Sequence, residues 1–146
     1  MQRVPFVVRH PQCETPGKRS KALQSVVDLC ASFLGVAGLQ ARADNQGVCQ
    51  IPSWTWASQH TRDWALVEFR PSHGPFMQRT YVEGQYKLVR YEGRDYGELY
   101  DLETDPHQFV NQFENVSFES VKDKMMQQFD ARDFVEEEVR ERRAVA

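Results

Sequence analysis

Apolar and polar positions alternate with period two through residues 80–102, and that alternation predicts an antiparallel sheet. Thr80-Tyr81-Val82, Tyr86-Lys87-Leu88-Val89-Arg90-Tyr91 and Glu98-Leu99-Tyr100-Asp101-Leu102 are short β-prone runs. Gly84 separates the first two, and Gly93 to Gly97 the last two. β-branched and aromatic runs split by short glycine-containing connections read as a meander. In the second run Tyr86, Leu88 and Arg90 face one side, while Lys87, Val89 and Tyr91 face the other. Leu99 and Asp101 oppose Glu98, Tyr100 and Leu102 in the same way. Trp64-Ala65-Leu66-Val67-Glu68-Phe69 is a further strand that joins the meander, followed by a loop from Arg70 to Pro75. Pro106 lacks an amide hydrogen, so the sheet ends in the turn at residues 102–106.

The rest of the chain shows other periods. Val4-Pro5-Phe6-Val7-Val8 is a continuous apolar run, the pattern of a strand buried in a larger sheet. Ser20 reads as an N-cap, and Leu23, Val26, Val27, Cys30, Phe33 and Leu34 follow at helical spacing. Gly35 and Gly38 close that helix. Residues 40–62 are polar and irregular and contain Trp54 and Trp56. Phe118, Val121, Met125 and Phe129 give a second helical stripe, with Ser117 as its cap. The tail, with Glu136-Glu137-Glu138 and Arg140-Glu141-Arg142-Arg143, reads as a fraying, solvated helix.

Composition narrows the classes. At 146 residues, 40% of them apolar, the chain is one modest domain with enough material for a core. A net charge of -3 argues against non-specific nucleic-acid binding, which needs a basic face. No apolar segment reaches membrane-spanning length, and no signal peptide is visible, so the chain as written reads as cytoplasmic. Cys13, Cys30 and Cys49 show no paired-ligand spacing and read as free thiols in a reducing compartment.

The order of the sheet residues resembles a known family. Arg79-Thr80, then the run from Tyr86 to Tyr91, then Glu98-Leu99-Tyr100-Asp101-Leu102 with Asp105-Pro106, is similar to "RT…YKLIRY…ELYDLxxDP" near the C-terminus of type I sulfatases. These are the formylglycine-dependent sulfuric ester hydrolases of the alkaline-phosphatase-like superfamily. The start of the chain resembles the family's "RVPxIVRxPG" strand, and residues 20–39 resemble its "SxALVSLVDLAPTLLDLAGL" helix. The likeness covers residues 3–39 and 64–129 and is weak between them.

The resemblance implies an α/β (α+β) fold: the C-terminal portion of the sulfatase fold, a small antiparallel sheet with a packed terminal helix. It divides the chain into the end of the catalytic-domain region (1–62), the sheet and helix (63–130) and a charged tail (131–146). It implies a sulfuric ester hydrolase whose metal-binding Asp/His segment and catalytic Lys precede the first strand. The family uses a divalent cation, usually calcium, and a formylglycine; neither is expected in this chain. A C/S-x-P/A-S-x-R motif is absent, and the nearest candidate, at Cys49, has an extra residue before Pro52 and Trp54 in place of Arg. No catalytic residue is therefore assigned, and the chain by itself is expected to be inactive.

The second reading is an assembly or ligand-binding module, pairing with itself or with an N-terminal sulfatase half. A truncated reading frame with no separate role is the third. His10, His60, His73 and His107 lack metal-ligand neighbours, so no metal site is expected. Trp54, Trp56, His73 and Arg79 are the candidates for a substrate rim. The plainer expectation is that the tryptophans plug the core and His73 is a loop residue. Lys87 and Arg90 are expected to bury their stems and keep solvated heads.

Overall fold

In the computed structural model, residues 4–70 and 77–132 are described. The sheet forms where alternation predicts it. Four strands, β1 (Trp64–Phe69), β2 (Gln78–Glu83), β3 (Tyr86–Tyr91) and β4 (Gly97–Asp101), lie in chain order as an antiparallel meander. Tyr81 pairs with Leu88, and Leu88 with Leu99, so these three stack on one face. Gly84 in the β2–β3 turn has φ +56 and Gly93 after β3 has φ +69, the left-handed backbone that glycine adopts without penalty.

Helix α3 (Glu119–Asp130) packs on that face. Tyr81, Leu88, Leu99, Phe113, Met125 and Phe129 form the core, with Trp64, Leu66, Tyr86, Phe118, Val121 and Met126 against it. Arg90, on the same face, reaches Asp130 at 2.6 Å and covers the Phe129 ring. The cap differs from expectation. A 3-10 turn (Val116–Phe118) precedes α3, and Asn115 rather than Ser117 is its N-cap, accepting from the Ser117 amide at 3.0 Å.

The open edge of β4 is closed by side-chain and backbone bonds. Asn111 accepts from the Leu99 amide at 2.9 Å and donates to the Gly97 carbonyl at 3.0 Å, and the Gln112 amide donates to Leu99 O. Such capping removes a sheet edge that would otherwise recruit another strand.

The N-terminal half departs from expectation twice. Residues 4–10 are not a strand: they carry no regular structure, and Val7 is 94% exposed. An apolar run becomes a strand only when neighbours supply ladder partners, and none pairs with it among the described residues. The first helix, α1, is also shorter than its stripe, running Asp28–Val36 instead of starting at Ser20. The Asp28 carboxylate accepts from the Ser25 amide at 2.8 Å, and two tight turns through Ser25 and Val26 lead into the helix. Ser20 instead accepts from the Ala22 amide. The predicted end is correct: Gly38 takes φ +72, Leu39 N–H donates to Leu34 O and Gly38 N–H to Gly35 O, a Schellman closure. Within the irregular stretch a single helical turn, α2 (Ile51–Trp54), forms after Gln50.

Candidate functional site

A buried polar hub ties the N-terminal half to the sheet. The Asp28 carboxylate accepts from the amides of Ser25 and Val48, from Gln50 Nε2 at 2.9 Å and from Arg62 Nη1 at 2.8 Å. Ser32 donates to the Asp28 carbonyl at 2.7 Å and accepts from the Gln50 amide at 2.9 Å. Thr61 closes the ring on Gln50 Oε1. Asp28, Ser32 and Gln50 are all buried. The Arg62 guanidinium then lies over Trp64 of β1 at 5.8 Å from its centroid, and Arg132 approaches the same ring at 4.9 Å. One carboxylate thus satisfies four donors from three segments of chain, which is how a buried charge becomes tolerable. None of these residues was singled out from sequence, although Asp28 within an apolar stripe was a usable signal.

The two tryptophans stand at the end of α2 and just past it, and they differ in role. Trp54 is a plug: it is buried, its ring lies 6.4 Å from Phe6 and 6.4 Å from Phe33, and its Nε1 donates to Gln24 at 3.2 Å. Trp56 is half-buried and has φ +72, closing α2 in the position where Gly38 closes α1. The left-handed backbone costs a residue with a β-carbon about 1–2 kcal/mol, so a tryptophan there is an outlier. Lys18 Nζ sits 5.9 Å from the centroid of the Trp56 ring. Arg79 belongs to β2 and bonds Glu68 of β1 at 2.8 Å. His73 lies outside the described residues. Trp54 and Trp56 are therefore neighbours, while Arg79 is engaged in a cross-strand pair on a separate element.

The other sheet face carries a cluster that the sequence also concealed. Glu98 accepts from the hydroxyls of Tyr91 and Tyr100. Burial and that hydrogen bond push the Tyr100 hydroxyl up to about 12 and raise Tyr91 as well. Lys87 is buried, contrary to the solvated head expected for it. Its Nζ bonds Gln108 at 2.6 Å and lies over the Tyr100 ring. Burial lowers its pKa, against the attraction of Glu98. These groups satisfy one another and leave no unpaired nucleophile or base in the cluster.

Among the described residues no three of His, Cys, Asp and Glu converge as a ligand set. Cys49 packs against α1 at Gly35. No helix among them is long and apolar enough to cross a membrane.

Comparisons with known proteins agree with this fold. The profile of the N-sulphoglucosamine sulphohydrolase C-terminal family matches residues 1–134. An N-acetylglucosamine-6-O-sulfatase of Bacteroides thetaiotaomicron is 26% identical over 133 residues, which are 86% of this chain and 24% of that protein. Arylsulfatase K of Xenopus laevis is 25% identical over 74% of this chain and 22% of its own length. The chain thus spans about a quarter of the length of these relatives. Among solved structures, BT4656 in complex with D-glucosamine-2-N,6-O-disulfate superposes with TM-score 0.77 at 25% identity, over 88% of this chain and 28% of that one. A putative sulfatase of Bacteroides thetaiotaomicron superposes with TM-score 0.65 at 19% identity, over 70% of this chain and 23% of that one. The four-stranded meander, its packed helix and the matched sequence place this chain in the sulfatase family, as a member of the N-sulphoglucosamine sulphohydrolase C-terminal domain family.

Proposed function

We propose that the chain acts as the C-terminal domain of a sulfuric ester hydrolase for sulfated hexosamines, and that it releases no sulfate by itself. The observation that carries this reading is the family match over residues 1–134, in a sequence that has no C/S-x-P/A-S-x-R motif. Sulfate ester cleavage needs groups that neutralise and attack an anionic centre, and residues 4–70 and 77–132 offer no cation site for it. The substrate class comes from relatives: one is named for N-acetylglucosamine 6-O-sulfate chemistry, and one structure holds a disulfated glucosamine.

The same chain has a surface suited to a catalytic partner. Phe6, Val7, Val8, Phe33 and Val36 are apolar and exposed, and Phe6 and Phe33 meet at Trp54. Contiguous exposed apolar surface marks an interaction site. The relatives, about four times longer, supply the obvious occupant: the catalytic portion of a sulfatase, whether on the same or another polypeptide. The test is sulfate release from an aryl sulfate and from glucosamine 6-sulfate by the purified 146-residue chain with calcium present. No release above buffer is expected, and robust metal-dependent turnover would overturn the reading.

A further inference from the structure

We propose that Lys18, Arg19, Lys21 and the Trp56 ring form a binding surface for a sulfated polysaccharide chain. The inference rests on the substrate class proposed above, and adds a place on this chain where that class is held.

Two segments far apart in sequence meet here. Ser20 Oγ donates to Gln59 Oε1 at 2.8 Å, bringing the stretch around Ser20 against the loop that follows α2. Lys18 Nζ lies 5.9 Å from the Trp56 centroid in the same junction. Lys18, Arg19 and Lys21 are all exposed, and none makes an ion pair among the described residues. Residues 55–60 contribute no carboxylate. Three exposed cations thus fall within four residues of chain, Lys18 at the Trp56 ring, on a protein whose net charge is -3.

Trp56 supplies the second, independent feature. It occupies a left-handed position where the equivalent turn after α1 uses Gly38. An outlier of this kind marks a functional site when the side chain justifies the backbone. What the side chain offers is an aromatic ring beside the Lys18 ammonium. Pyranose rings present C–H edges that pack on aromatic faces, and sulfate groups pair with ammonium and guanidinium groups. A nucleic acid fits less well, because three cations on an acidic protein are a short electrostatic track.

The experiment is titration of the full chain with heparin, followed by tryptophan fluorescence and calorimetry at low and physiological salt, with non-sulfated hyaluronan as the comparison. The triple variant Lys18→Gln/Arg19→Gln/Lys21→Gln is expected to weaken heparin binding about tenfold or more and to flatten its salt dependence, the scale for removing three cations facing a polyanion. Trp56→Gly relieves the left-handed backbone, so its unfolding midpoint is expected to hold while heparin affinity falls. Unchanged heparin binding in the triple variant overturns the proposal, as does equal affinity for hyaluronan. Neither readout depends on sulfate release, so failure here is separable from failure of the hydrolase reading.

Discussion

Replacing Asp28 by alanine is expected to destabilise the chain by about 3–5 kcal/mol, the cost of removing one partner of a buried ion pair. The reason is local. Arg62 keeps only 7% of its side-chain surface exposed and loses its only carboxylate within the described residues. Its Nε already lacks a hydrogen-bond acceptor there. The amides of Ser25 and Val48 and the side chain of Gln50 lose their acceptor at the same time. Asp28→Asn keeps the shape but turns one acceptor into a donor aimed at donors, so its effect is intermediate. Urea unfolding reads both, and a shift of the midpoint without a change of slope identifies a stability effect. An Asp28→Ala chain as stable as the parent would show that the hub does not hold the two halves together.

Truncating the centre of the sheet core has the next largest effect. Leu88 is fully buried, with Tyr81 and Leu99 beside it on the same face and α3 above. Leu88→Ala therefore removes apolar contacts and leaves a cavity, at about 2–5 kcal/mol. Val7→Ala is the contrasting substitution. Val7 is almost wholly exposed, so its truncation is expected to fall within about 0.5 kcal/mol of zero. A large cost at Val7 in the isolated chain would mean that its own fold covers the N-terminal segment. The same urea titration measures the pair side by side.

The sheet was legible because its signals are local. Alternation in Tyr86–Tyr91, glycine at the two turns and Pro106 after the last strand each act within a few residues. The Arg90 and Leu88 face was readable for the same reason. Three features were not legible, each because a distant partner decides it. The apolar run at residues 4–8 has strand composition, but a strand is a property of a pair. The helical stripe from Leu23 is real, yet the Asp28 side chain competes for the Ser25 amide and delays the helix by eight positions from Ser20. Lys87 reads as a surface lysine until Gln108 and Tyr100 are brought over it.

The candidate site divides the same way. Aromatic character marked Trp54 and Trp56 as a pair worth attention. Their divergence into a plug and a partly open ring depends on Phe6, Phe33, Gln24 and Lys18, all distant in sequence. The left-handed conformation of Trp56 has no sequence signal, since glycine is the residue normally expected there. Arg79 stands in the family-like run, and the cross-strand bond to Glu68 gives it a structural task.

The central claim is that this sulfatase-family domain folds around its sheet while its own fold leaves the apolar segment at residues 4–8 uncovered. Amide hydrogen exchange on the isolated chain, with light scattering to fix its mass, tests that most directly. The amides of β3 are expected to be strongly protected, and those of residues 6–8 to exchange near the rate of an unfolded peptide while the chain is a monomer. A monomer in which residues 6–8 are as protected as β3 would contradict the account, because the segment would then be completed by the chain's own fold.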